Sequence, residues 1–307
     1  MLRDRHGLID YGEGGAGPTI VFVPGSWATG SAWHGVIAAL GGRFRTVTTS
    51  LPGYGSTRDR RTSADASIDR QAEIVEAVIR RAGGPVHLVG HSFGALACLD
   101  VALCGLLPLM SLTLIEPLAF GLLRQQGEFS LHERFIAMRE DYVRSFKNGD
   151  KDAARQVVDY LDGRGSFDAL PPRTREYFVK ATPTHVLDIC SCFDTPVSAF
   201  ANILLPSLVI RGERSAPALR RSAEILSGAL ANASLHTIST AGHPMTTTHA
   251  TEVAQLIGHH VAKAESLAWT SVCLDSPFQF PLRHYTSSLQ RLLRELVESQ
   301  VGDDANT

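Results

Sequence analysis

Ser92 lies in the run Val86-His87-Leu88-Val89-Gly90-His91-Ser92-Phe93-Gly94-Ala95-Leu96-Ala97. A short apolar β run, then G-H-S-F-G, then small and apolar residues at helical spacing read as strand, tight turn and helix, with a serine at the turn. So tight a turn strains the serine backbone. A side chain at either flanking glycine would collide with the neighbouring strand or helix, which accounts for Gly90 and Gly94. The chemistry that suits such a serine is nucleophilic attack. Its hydroxyl is almost wholly protonated at neutral pH, so it needs a hydrogen-bonded base and an oxyanion site. G-x-S-x-G by itself is a weak signal, and the strand before it and the helix after it supply the context it requires.

Other residue types that could do chemistry are not clustered. The five cysteines are Cys98, Cys104, Cys190, Cys192 and Cys273. Their number is odd and Cys98 and Cys104 fall in a predicted core helix, which argues against a disulfide framework. Cys190-Ser-Cys192 has no C-x-x-C partner or histidine cluster, so small buried hydrophobes are the simpler reading. No phosphate-binding P-loop, dinucleotide fingerprint or metal-ligand cluster occurs, so no cofactor and no metal are implied.

The elements that must position Ser92 alternate along the chain. Thr19–Val23 is continuous and β-branched, as in a strand buried on both faces of a parallel sheet. It leads into Pro24-Gly25-Ser26-Trp27 and a helix with Trp33, Val36, Ile37 and Leu40 on one face. Gly7–Tyr11 is a candidate edge strand. Residues 44–49 form the next strand and end in Ser50-Leu51-Pro52-Gly53-Tyr54-Gly55-Ser56. A helix follows, capped by Asp65 or Ser67 and stopped by Gly83-Gly84-Pro85. After the serine turn, helix 93–104 gives way to the strand Ser111–Ile115, which ends in Glu116-Pro117. Strands and helices at this spacing imply right-handed crossovers and a doubly wound, mostly parallel sheet.

The rhythm then breaks. Residues 118–206 read as a helical cap over the carboxyl ends of the strands, with helices at 131–147, 150–162, 172–181 and 184–192. The sheet resumes at Ser207–Gly212, with a helix at 216–231, the strand Ser234–Ile238, Ala241-Gly242-His243-Pro244, and a helix from Ala250 to Glu265. The core is therefore 1–117 and 207–265, the cap 118–206, and the extension 266–307. That extension carries an amphipathic helix at 285–299, whose leucine face can pack on the domain or on a second copy to make a homodimer, and a polar tail.

Composition narrows the partners. The 307 residues are 44% hydrophobic and 20% charged, with a formal net charge of −2. That balance gives no reason to expect nucleic acid or an anionic membrane as partner and leaves a small molecule as the expected one. No apolar run approaches a membrane span and the first residues lack a signal-peptide core, so the expected location is cytoplasmic.

Four features in this order, the P-G-S-W loop after the first buried strand, S-L-P-G-Y-G-S, G-H-S-F-G and the late A-G-H, resemble the α/β-hydrolase fold superfamily over residues 6 to about 265. The resemblance implies an eight-stranded, mostly parallel sheet, a helical cap, and a nucleophile–acid–histidine triad in that chain order. It makes Ser92 the nucleophile and His243, on the loop after the last strand, the base. The acid is displaced: most relatives carry Asp three residues after the glycine that ends the seventh strand, and here that position is Ser215. Glu116, at the end of the strand after the serine helix, is the favoured acid, and Glu213 the alternative. The oxyanion hole should use the backbone N–H groups of Phe93 and Ser26. Trp27, His91, Leu118, His185 and Met245 are pocket candidates by position, with Phe120 beside them. These roles make a serine hydrolase of an ester-like bond (carboxylester, lactone, thioester or C–C diketone) in a small hydrophobic substrate. The displaced acid, and Pro24-Gly25 where many relatives have His-Gly, keep a ligand-binding or receptor-type protein with little turnover as the alternative.

Overall fold

The computed structural model describes residues 1–274 apart from Asp65 and Cys192, with side chains through residue 268. The helix expected at 285–299, the dimer contact assigned to it, the polar tail, and the Cys192 and Cys273 side chains lie outside the described residues. Met1–Ala264 forms one unit and Glu265–Thr307 a second.

The chain begins with β1 (Leu2–Asp4), β2 (Gly7–Ile9), β3 (Gly12–Gly14) and β4 (Thr19–Val23), then α1 (His34–Ala39) and β5 (Arg45–Thr48). It continues through α2 (Asp69–Ala82), β6 (Val86–His91), α3 (Phe93–Cys104) and β7 (Leu109–Ile115). Five helices follow before the sheet resumes: α4 (Gly121–Gln125), α5 (Phe129–Lys147), α6 (Ala154–Asp162), α7 (Ser166–Ala169) and α8 (Pro172–Cys190). Then come β8 (Ser207–Gly212), α9 (Pro217–Ala229), β9 (Ala233–Ile238), α10 (Met245–Thr248) and α11 (Ala250–Leu274).

The main sheet runs β3-β5-β4-β6-β7-β8-β9. Only β3 is antiparallel; β5 to β9 are parallel to one another. It has seven strands, not eight. The first two strands pair with each other instead, Leu2 opposite Ile9 and Asp4 opposite Gly7, as a separate two-stranded hairpin. The expected edge strand at 7–11 is thus only Gly7–Ile9 and closes the hairpin, and the edge of the sheet is Gly12–Gly14, beyond it.

The central strands β4 and β6 are buried along almost their whole length, which is why their sequences show no alternation. One apolar layer packs α2 and α3 on one face of the sheet, and a second packs Trp33, Val36, Val253 and Ile257 on the other. The helix expected to be capped by Asp65 or Ser67 begins at Asp69, whose N–H bonds the Ser67 hydroxyl at 3.2 Å.

The last two expected cap helices are one. Pro183 sits inside α8 without breaking it, and the Thr182 hydroxyl bonds the Phe178 carbonyl at 2.9 Å in the same turn. Of the cysteines, Cys98 is buried in α3, whereas Cys104 and Cys190 end their helices exposed rather than in the core. Among the described residues no helix is long and apolar enough to cross a membrane.

Candidate active site

Ser92 stands between β6 and α3 with φ +56° and ψ −123°, outside the conformations an L-residue prefers. The contacts around it leave no alternative. A Cβ on Gly94 would come within 2.2 Å of the Pro24 carbonyl oxygen, and one on Gly90 within 2.7 Å of the Ala95 Cα. The Ser92 N–H donates to the Ile115 carbonyl at 2.8 Å, tying the turn to the end of β7.

His243 reaches this serine from the loop between β9 and α10. Its Nε2 lies 2.9 Å from Ser92 Oγ and its Nδ1 lies 3.0 Å from Glu116 Oε2. A carboxylate only accepts, so Nδ1 carries the imidazole proton and Nε2 presents its lone pair to the serine hydroxyl. Glu116 is fully buried and also departs from ordinary backbone geometry, at φ +48°. Its N–H donates to Ile210 at 2.8 Å and its second oxygen accepts the Gly212 N–H at 2.8 Å, so both carboxylate oxygens are satisfied without solvent. Glu213 is turned elsewhere: its carboxylate caps the Thr240 N–H at 3.0 Å on an exposed loop. Ser215, at the position where relatives carry their acid, is buried with a hydroxyl that bonds nothing among the described residues.

His91 packs against His243. Its Nε2–H donates to the His243 carbonyl at 3.0 Å, and the two rings sit 4.9 Å apart. Burial, and then the neighbouring His243, push the His91 pKa down to about 3, which keeps this imidazole neutral. His185 on α8 is also held neutral by burial, with its pKa pushed down to about 3, and it hydrogen-bonds the Tyr142 hydroxyl at 3.0 Å.

Above Ser92 lies a cavity of about 640 Å³ between the sheet and the helices that follow β7. Ser26, Trp27, His91, Phe93, Leu118, Phe120, His185 and His243 all line it. Met245 does not. It is fully buried in the Trp33–Val36 layer on the other face of the sheet, because the four-residue α10 starts there and turns it inward. Pro244, Thr246 and Thr247 line the cavity from that loop instead.

Composition and spacing do not reveal further wall residues on helices α5, α6 and α8: Phe135, Val157, Asp162, Phe178 and Asp188. Apolar residues at helical spacing signal a core face and do not separate a pocket wall from a packed one. Asp162 ends α6 with its carboxylate 3.8 Å from where a Cβ on Gly242 would stand. Among the described residues no group of three or more His, Cys, Asp or Glu could hold a metal ion.

Ser26 and Phe93 flank the serine. A Cβ on Gly25 would lie 2.8 Å from the Ser92 Cβ, so the loop that carries Ser26 touches the serine. Phe93 opens α3, where N–H groups are unpaired and the helix dipole is positive.

The sequence profile of the alpha/beta hydrolase family matches residues 20–256. A pimeloyl-[acyl-carrier protein] methyl ester esterase from Aeromonas hydrophila is 34% identical over 89 residues, 29% of this chain and 34% of that protein. The enzyme of the same name from Methylococcus capsulatus is 36% identical over 102 residues, 33% of this chain and 37% of that protein. The chain thus spans about a third of the length of these curated relatives. A thermophilic esterase from Thermogutta terrifontis superimposes with a TM-score of 0.65 at 18% identity, over 83% of this chain and 93% of that one. MenH from S. aureus does so with a TM-score of 0.65 at 16% identity, over 83% and 98%. At such identities the likeness is one of fold. With the family profile matched over most of its length, this chain belongs to the alpha/beta hydrolase family.

Proposed function

We propose that the protein is a serine esterase acting on a carboxylic ester with an uncharged, largely hydrophobic acyl group. The observation that carries this reading is the hydrogen-bonded line Ser92 Oγ–His243 Nε2 and His243 Nδ1–Glu116 at the floor of a cavity walled by Trp27, Phe93, Leu118 and Phe120.

In the acylation step, Ser92 Oγ attacks the ester carbonyl as its proton passes to His243 Nε2. Glu116 stabilises the imidazolium and holds the ring in its tautomer. The carbonyl oxygen becomes an oxyanion held by the N–H groups of Ser26 and Phe93. The intermediate collapses as His243 returns the proton to the leaving alcohol. Water then repeats the sequence: it attacks the acyl-enzyme, gives a proton to His243, and releases the acid as Ser92 recovers its proton.

The wall chemistry supports an uncharged acyl group. His91 and His185 are held neutral. Among the described residues the one arginine or lysine on the wall is Arg139, which lies over the Phe135 ring at 6.0 Å rather than beside Ser92. The curated relatives, named as methyl ester esterases, agree with ester cleavage as the reaction.

The test is labelling with a fluorophosphonate probe, paired with hydrolysis of p-nitrophenyl esters of increasing chain length. Wild type should be labelled at Ser92 and should turn over short and medium acyl chains, and Ser92→Ala should do neither. A folded wild type that resists the probe would replace this reading with that of a ligand-binding protein.

A further inference from the structure

We infer that helix α8 positions the oxyanion loop: Asp188 anchors Ser26 and His185 seats Trp27, so the cap and the oxyanion site move as one part. The inference rests on the esterase reading for its kinetic consequences, and its structural claim stands apart from them.

Asp188 is a carboxylate with 1% of its surface exposed, a placement that requires partners. The three nearest come from separate parts of the chain. Ser26 Oγ donates to Oδ2 at 2.6 Å, the Tyr54 hydroxyl donates to Oδ2 at 2.6 Å, and Arg61 Nη1 lies 2.5 Å from Oδ1. Tyr54 and the Arg61 side chain are themselves each 1% exposed. One turn before Asp188 on α8, the His185 ring stacks on the Trp27 indole at 3.6 Å and 9°, and Phe178 stacks on it at 4.7 Å and 11°.

These contacts act on a loop that would not otherwise hold its shape. Trp27 has φ +58°, a left-handed conformation that is unfavourable for a non-glycine residue and persists only where surroundings enforce it. Among the described residues its indole N–H finds no partner, so stacking against α8 rather than a hydrogen bond fixes the ring. The residue before it presents the N–H proposed for the oxyanion, and Gly25 touches Ser92. A donor displaced by a fraction of an ångström loses much of its grip on a developing charge. Asp188 and His185 touch Ser26 and Trp27 rather than the reacting atoms, and both are positioning residues.

The test uses Ser26→Ala, which keeps the backbone N–H and removes only the tether, with Asp188→Asn and the double variant. Arg61 retains Asp59, whose two carboxylate oxygens lie 2.9 and 2.8 Å from it, so Asp188→Asn does not strand the guanidinium. Each single variant should lower kcat for a p-nitrophenyl ester by about tenfold, less than the 10²–10³ that follows loss of an oxyanion donor, with KM within about twofold. The double variant should be no slower than the slower single, because both act through one bond. Hydrogen exchange in the peptide containing Ser26 and Trp27 should accelerate in both singles, while exchange in β6 and β7 stays unchanged.

Unchanged kcat and unchanged loop exchange in folded Ser26→Ala would overturn the proposal, as would kinetic effects that multiply in the double variant. Should Asp188→Asn fail to fold, Ser26→Ala decides the matter alone. A wild type that the fluorophosphonate does not label would overturn the esterase reading and leave loop exchange to decide the positioning claim.

Discussion

Glu116 Oε2 lies 3.0 Å from His243 Nδ1, while Ser215, where relatives place the acid, is a buried hydroxyl that bonds nothing among the described residues. The carboxylate therefore comes from the end of β7 rather than from the loop after β8. Two features let it do so. The end of β7 adjoins the end of β8, and the left-handed backbone at Glu116 turns the side chain across Gly212 toward the histidine. The Gly212 N–H fixes one oxygen, which aims the other.

Glu116→Gln is expected to lower kcat by about 10²–10⁴ while leaving KM nearly unchanged. The Gly212 N–H selects the amide oxygen, which points the amide NH₂ at His243 Nδ1. That nitrogen must then accept, its proton moves to Nε2, and the ring can no longer take the serine proton. Glu213→Ala should stay within about threefold of wild type, as for a surface substitution. Steady-state kinetics of the two variants decide between the carboxylates, and a Glu213→Ala that loses as much as Glu116→Gln would sink the assignment.

A carboxylate introduced at 215 should act with opposite sign in two backgrounds. In Glu116→Ala, adding Ser215→Asp should recover about tenfold or more of the lost kcat, since the loop after β8 suits an acid facing this histidine. With Glu116 present, Ser215→Asp buries a second like charge and should lower the melting temperature. Equal effects in both backgrounds would show that position 215 does not communicate with His243.

Gly94→Ala tests the packing of the serine turn. Its Cβ would stand 2.2 Å from the Pro24 carbonyl oxygen and 2.8 Å from that of Val23, both backbone atoms that cannot swing aside. We expect a loss of about 3 kcal/mol or more in urea denaturation, together with slower labelling of Ser92, because the displaced segment leads into Gly25, which packs on Ser92. A variant as stable and as reactive as wild type would contradict the contact.

What the sequence revealed follows from the range of each interaction. Gly90, Ser92 and Gly94 were readable because the constraints on them lie within a strand, a turn and a helix. His243 was readable because a loop after the last strand has few places to go. Glu116 and Glu213 both end strands, and only side-chain direction, set by Gly212 and Thr240, separates them. The eight strands that the resemblance implies become seven because β1 and β2 pair with each other outside the main sheet, and strands of three residues carry no periodicity that would tell them apart beforehand. Met245 faces the layer on the other side of the sheet because a single turn of helix decides its direction, which sequence position does not show. The Arg61–Asp188 pair left no local trace, since it joins residues 127 apart on elements that meet only in the folded chain.

Acidification should weaken the fold through two neutral histidines. His91 and His185 are each pushed down to about 3 by burial, His91 also by the adjoining His243, whereas in the unfolded chain each titrates at about 6.5. Between those values the unfolded state binds more protons than the folded state, so stability is full above about pH 6.5 and falls as pH drops toward 3. The slope approaches about 1.4 kcal/mol per pH unit for each ring, or about 2 kcal/mol each at pH 5 relative to pH 7.5. Asp100 works in the other direction. Its carboxyl is raised to about 6 by burial and by the nearby Asp69 and Glu76, so acid favours the folded state there; its partial exposure makes this the smaller effect. Urea denaturation at pH 7.5 and 5.0 should show a net loss of about 3 kcal/mol. In His185→Gln that pH-dependent loss should shrink by about two-thirds, to about 1 kcal/mol, whatever the variant costs at pH 7.5. A loss of the same size in His185→Gln would mean that His185 takes up its proton freely in the folded protein, contrary to its burial against Trp27 and Tyr142.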